Sequence, residues 1–178
     1  WGSLYSWLAT EESSFATRGE FGSRRFFELF SYPLLTGNAS SVLEQPNAIV
    51  LSERMAMKLF KTTDVIGEQL TWRWYSHEEP VVVTGIFQDL PKSSSEQFEF
   101  VLNFDVYEKR YGERLKRGRQ ARTFLKLKEG ATTAVVNQKI HDYTRATYPE
   151  YDGATMQVID FASYYLENQY EDGKPVGG

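Results

Sequence analysis

Apolar residues fall along this chain in short bursts whose period switches between two and about 3.6, and each switch marks an element. Ala48–Leu51 is a continuous β-branched and apolar run that predicts a strand. Ser52 follows as an N-cap, its hydroxyl free to accept a backbone N–H, and Glu53 sits at the positive end of the helix dipole. Met55, Ala56, Leu59 and Phe60 then form one apolar stripe, so strand, cap and helix are specified within Ala48–Phe60. After Gly67, Leu70, Trp72 and Trp74 alternate with Thr71, Arg73 and Tyr75, a strand with one buried face. Ser76–Glu79 predicts a hairpin tip, and Pro80–Phe87 returns as a nearly continuous apolar strand in a central position. Gln88–Ser95 reads as a loop. Beyond it Phe98, Phe100, Leu102 and Phe104 alternate on one face.

The remaining segments are less strongly patterned. Residues 1–24 are polar, with Arg18, Glu20, Arg24 and Arg25 around Gly19 and Gly22, and predict loop or edge structure. Phe26, Phe27, Leu29 and Phe30 predict a short helix that plugs the core and breaks before Pro33, and Gly37–Asn38 predicts a turn. Tyr107–Arg122 predicts helix then loop, and Thr123–Lys128 alternates as a short strand before Glu129–Gly130. From Thr132 a helix follows, with Val136, Ile140, Tyr143 and Thr147 as its stripe, ending near Tyr148 ahead of Pro149. Asp152–Gly153 is a turn, Met156, Val158 and Phe161 mark a last strand region, and Asp172–Gly173 and Gly177–Gly178 read as an exit linker. Strands and helices mix without a βαβ repeat. The fold class is therefore α+β, with a mixed, mainly antiparallel sheet and packed helices, in a single domain over 1–178 or two lobes sharing a core.

Composition narrows the function. Hydrophobic residues make up 41% of the 178 and aromatics 15%, enough for a packed interior. A net charge of −4 argues against a nucleic-acid partner. The absence of cysteine excludes disulfides, thiol catalysis and zinc–thiolate sites. No apolar run approaches the roughly 20 residues of a membrane-spanning helix. Because the chain begins at Trp1 and stops at Gly178, it reads as an excised fragment whose flanks hold any spans.

No catalytic constellation emerges. His77 falls in a hairpin tip and His141 on a helix, each without a second ligand at metal spacing. There is no G-x-S-x-G elbow, S-x-x-K motif, P-loop or G-x-G-x-x-G. The pairs Glu11–Glu12 and Glu78–Glu79 are adjacent carboxylates in polar loops, where solvation is the ordinary outcome. Catalytic, metal and cofactor sites are all expected to be none. Ser93 and Glu96 have capping-box spacing, but the alternation after them favours a loop. Asn38–Ala39–Ser40 fits a glycosylation sequon, a short pattern with many chance matches.

Two features remain. Between Glu108 and Arg122, seven cations face two carboxylates, a local +5 against −9 for the rest. Lys109, Arg110, Arg114, Lys116, Arg117 and Arg119 are candidates to contact an acidic partner, anionic headgroups or an anionic cargo, with a solvated helix–loop as the alternative. The aromatic strand Trp72–Tyr75 is either a half-buried strand or a ligand platform.

Four blocks in fixed order carry a family resemblance: FFELFSYPLLTG (Phe26–Gly37), IVLSERMAMKLF (Ile49–Phe60), VIGEQL (Val65–Leu70) and VVVTGIFQDLPKSSSEQFEF (Val81–Phe100). Together they resemble the extracytoplasmic core domain of MacB/FtsX-type ABC transporter permeases, in the form found in Bacteroidetes-like bacteria. The Ile66–Gly67 pair and the strand and loop of Val83–Ser94 are similar to family motifs, and GKPVGG (Gly173–Gly178) resembles the lead into a second membrane helix. The resemblance implies a non-catalytic periplasmic domain of an inner-membrane permease, set between two transmembrane helices. It implies coupling of ATP-driven movement in a separate ABC ATPase subunit to efflux or envelope processes. The implied partners are that ATPase, a second permease copy or pseudo-repeat, and a periplasmic or outer-membrane protein. An extracytoplasmic ligand-sensing domain is the competing reading.

Overall fold

The computed structural model describes residues 4–116, 122–147, 157–161, 169–171 and 174–177. The chain divides into two compact units, Trp1–Leu125 and Lys126–Gly178. The first unit holds strands β1 (Leu4–Ala9), β2 (Ser14–Gly22), β3 (Leu34–Thr36), β4 (Ala48–Ser52), β5 (Gln69–Trp74), β6 (His77–Phe87) and β7 (Phe100–Asn103). Its helices are α1 (Phe26–Phe30), α2 (Glu53–Phe60) and α3 (Phe104–Lys116). The α+β class with a mixed, mainly antiparallel sheet is what forms: β2–β7 and β4–β6 run parallel, and the other pairings of this sheet are antiparallel.

The sheet closes. Neighbours run β6–β4–β7–β2–β1–β5, β5 pairs back onto β6, and β3 is added outside β6. Closure depends on the length of β6. Its first half pairs with β5 from Trp74↔His77 to Gln69↔Val82, and its second half pairs with β4 from Ala48↔Val82 to Ser52↔Phe87. A ring of strands hides the unpaired edges that open sheets expose. Pro80 sits within β6 opposite Thr71, so the hairpin tip is shorter than Ser76–Glu79 and comprises Tyr75 and Ser76. The proline is tolerated because Val82 N–H points to Asn47, which puts the position of the missing Pro80 N–H on the same side, before the pairing with β4 begins.

Two apolar clusters lie on opposite faces of β4 and β7. The first takes residues from all six ring strands, including Leu8, Phe21, Ile49, Leu51, Trp72, Val83, Phe100 and Leu102, together with Met55, Ala56 and Leu59 of α2. The second joins Ala48, Val50, Phe98 and Val101 to Phe26 and Phe27 of α1 and to Val42 and Leu43. Burial on both faces explains the unbroken apolar run of β4. It also separates Phe98 from Phe100: the expected single face of Phe98–Phe104 holds only for Phe100 and Leu102, and Phe104 already begins α3. Asn103, fully buried, donates to the Leu43 and Gln45 carbonyls (2.8 and 2.9 Å) and accepts from the Asp105 N–H at 2.7 Å.

The N-terminal segment departs most from expectation. Residues read as loop or edge form β1 and the nine-residue β2, which lies between β1 and β7. The glycines mislead because they serve packing. A Cβ on Gly19 would lie 2.1 Å from Phe100 Cζ, so the ring of Phe100 occupies the place of a side chain from β2. Thr123–Lys128 forms no strand; Phe124 packs edge-on to Phe30 at 5.0 Å between ring centroids.

The second unit contains α4 (Thr133–Thr147) and an antiparallel pair, β8 (Gln169–Glu171) and β9 (Lys174–Gly177). The protected face of α4 is Val136, Ile140 and Thr144; Tyr143 and Thr147, expected on the stripe, are exposed. Residues 157–160, in the expected last strand region, are irregular, and Val158 N–H donates to the Asn137 side chain at 2.6 Å. Gly177, read as part of an exit linker, ends strand β9, while Asp172, Gly173 and Gly178 lie outside the described residues. Asp152–Gly153 and Met156 lie outside the described residues.

Candidate functional site

The β5–β6 hairpin resolves the question of the aromatic strand. Trp72 is 1% exposed and donates its indole N–H to the Ser6 hydroxyl at 3.0 Å, and Trp74 packs against the first core cluster. The indoles therefore face inward, and Arg73 and Tyr75 face outward. Register places Trp7 beside Arg73 and Arg73 beside Glu78, a row across β1, β5 and β6. Arg73 Nε and Glu78 Oε1 form an ion pair at 2.9 Å. These residues line an open cleft of about 610 Å³ together with Ser14, Tyr75 and Ser76. Two of its six lining residues, Trp7 and Ser14, come from β1 and β2, which is why the hairpin sequence alone does not reveal it.

A second polar cluster surrounds the start of α2. Ser52 Oγ accepts the Met55 N–H at 3.1 Å, the expected cap, and donates to Glu99 Oε2 at 2.5 Å. Arg54 donates from Nε to Glu99 Oε1 at 3.1 Å and from Nη2 to the same oxygen, while its backbone N–H reaches Asp89 Oδ1 at 3.0 Å. Hydrogen bonding to Glu99 and the charge of that carboxylate hold the Arg54 pKa above its ordinary value. These contacts tie the helix start to the loop ahead of β7. Replacing Ser52 by alanine is expected to lower unfolding stability by about 1 kcal/mol, the usual cost of a lost cap, measured by urea denaturation. A shift much below that would mean that the cap is supplied by other groups.

Glu20 is the functional-type residue that the sequence reading passed over. It lies on β2 opposite Val101, is 1% exposed, and its Oε2 has no hydrogen-bond partner among the described residues. Burial raises its pKa from 4.5 to about 7, the nearby Glu96 charge adds to the rise, and Arg18 and Arg122 oppose it. A charged residue between two glycines gives no sequence signal of burial.

The basic candidates are placed only in part. Lys109, Arg110, Arg114 and Lys116 lie on α3, whose Phe104, Val106 and Tyr107 pack on the first core cluster, and Lys109 is exposed. Arg117 and Arg119 lie outside the described residues. His77 is half-buried at the start of β6. His141 is exposed, with Nδ1 3.5 Å from Asp142 Oδ1. Among the described residues no group of three or more His, Cys, Asp or Glu could hold a metal, and no helix is long and apolar enough to cross a membrane.

The chain belongs to the MacB-like periplasmic core domain family, whose profile matches residues 4–143. Its fold is similar to the periplasmic region of MacB from Actinobacillus actinomycetemcomitans, with a TM-score of 0.60 and 14% identity over 95% of this chain and 74% of that one. It is also similar to a domain of a protein described as a permease from Porphyromonas gingivalis, with a TM-score of 0.56 and 19% identity over 82% of this chain. The chain spans 60% of the length of that domain. Comparison with curated proteins finds no match. The resemblance drawn from the four sequence blocks is therefore correct. The family supplies periplasmic domains to ABC-type transporter permeases and is generally non-catalytic.

Proposed function

We propose that this chain is the extracytoplasmic, force-transmitting domain of an inner-membrane ABC permease, set between two transmembrane helices. It passes ATP-driven movement from a separate ATPase to an export or envelope process. Family membership over residues 4–143 is the observation that supports this reading most strongly. Physical support comes from the closed ring and its two buried clusters, because a lever must deform less than the interface it moves. Its partners are the ATPase through the full-length permease, a second permease copy or pseudo-repeat, and a periplasmic or outer-membrane protein. Lys109, Arg110, Arg114, Lys116, Arg117 and Arg119 contact an acidic surface of such a partner or anionic headgroups.

The test is spectroscopic and needs no known cargo. The chain has no cysteine, so a Met57→Cys substitution on the exposed side of α2 gives one labelling site in this domain, with any cysteine elsewhere in the full-length permease replaced by serine. Spin-label distances between two copies are expected to change when ATP is bound and to return after hydrolysis. Distances indifferent to nucleotide would contradict force transmission. The cleft beside Tyr75 favours a second reading, an extracytoplasmic ligand-sensing domain.

A further inference from the structure

We propose that the cleft lined by Trp7, Arg73, Tyr75 and Glu78 binds a neutral carbohydrate chain. The proposal rests on the ligand-sensing reading and supplies its ligand class. Three observations converge on it. Trp7 and Tyr75 hold their rings at the surface, 51% and 90% exposed, and Tyr5, two residues from Trp7 on the same strand face, is 70% exposed. Aromatic side chains this exposed forgo half or more of the burial that normally favours them.

The second observation is backbone geometry. Tyr75 occupies the first central position of a two-residue hairpin turn with φ of +54°, where glycine is the preferred residue. A bulky aromatic there is disfavoured by both the backbone and the solvent. Strain of this kind concentrates where a side chain is held for a ligand.

The third is charge. The cleft contains one cation and one anion, Arg73 and Glu78, paired with each other at 2.9 Å, so the lining favours neither an anionic nor a cationic ligand. What remains is flat aromatic surface, fixed donors and acceptors, and the Ser14 and Ser76 hydroxyls. A pyranose matches this set, since its C–H face stacks on an aromatic ring while its hydroxyls bridge to charged side chains. The volume of about 610 Å³ lies within the range of small-ligand sites, and the open mouth suits a chain of sugars passing across it.

The chain, labelled with nitrogen-15, is titrated with maltotetraose and with chitotetraose while its amide and indole signals are followed by NMR. One of the two is expected to bind with a Kd on the order of 1 mM and to shift the Trp7 indole and the amides of Arg73–Glu78. Tyr75→Gly relieves the positive φ, so it retains the fold, and it is expected to weaken binding at least about tenfold, as is Trp7→Ala. Tyr143→Ala, in the other unit, leaves binding unchanged. Absence of shifts with either sugar, equal binding by Tyr75→Gly, or response only to a charged polysaccharide would each overturn the proposal. The titration uses the isolated chain. A negative result therefore counts against the sugar site and leaves the permease reading, which is tested in the membrane assembly, standing.

Discussion

Glu20→Gln is expected to stabilise the first unit by about 3 kcal/mol at pH 8 and to change little at pH 4.5. The folded-state pKa of Glu20 is raised from 4.5 to about 7, chiefly by burial. A proton bound more tightly in the folded than in the unfolded chain stabilises the fold wherever both states are protonated, below about pH 4.5. That stability drains away as pH rises through about 7, because the folded chain must then either hold a buried carboxylate that Arg18 and Arg122 only partly offset, or open. At about 1.4 kcal/mol per pH unit, the shift corresponds to about 3 kcal/mol in all. Glutamine has the shape of the neutral acid and does not ionise, so it removes the slope. Urea unfolding of both proteins between pH 4.5 and 8 gives the answer. Curves that diverge towards pH 8, with the variant above, agree with a buried carboxyl of raised pKa; parallel curves would mean that Glu20 is solvated or fully paired.

Trp72→Ala is expected to cost about 3–5 kcal/mol, the range for removing a buried aromatic side chain. Trp72 belongs to β5, the strand that bridges β1 and β6 and so completes the ring. Its ring meets Phe21 edge-on at 5.8 Å and its N–H satisfies the buried Ser6. The substitution removes the packing and leaves the Ser6 hydroxyl without that donor. Trp72→Phe keeps most of the volume but loses the hydrogen bond, so it is expected to cost about 1 kcal/mol beyond its packing change. Denaturant midpoints measure both. A loss below about 1 kcal/mol for the alanine variant would mean that β5 does not hold the closed sheet together.

How far the sequence announces this fold depends on where the decisive contact lies. The strand, cap and helix of β4 and α2 are legible because every determinant falls within Ala48–Phe60, and the Ser52 cap forms as expected. The α1 plug is legible for the same reason, four apolar residues before a proline. β2 is not legible, because the Phe100 ring that fills the space above Gly19 comes from a strand some 80 residues away. Tyr143 misleads because a helical period does not say which side of a wide stripe is covered. The cleft follows the same logic. Alternation in the hairpin predicts that Trp72 and Tyr75 face opposite ways, but Trp7 arrives through strand pairing and has no local signal. The buried Glu20 is the extreme case, a charge at a position that composition assigns to the surface.

The central claim is that this domain belongs to a membrane machine driven by an ATPase. The most direct measurement is affinity purification of the full-length membrane protein in a detergent that preserves known transporters, followed by mass spectrometry of what accompanies it. The account predicts a stoichiometric ABC ATPase. Recovery of intact permease with no ATPase, and with no ATPase domain on its own chain, would contradict it.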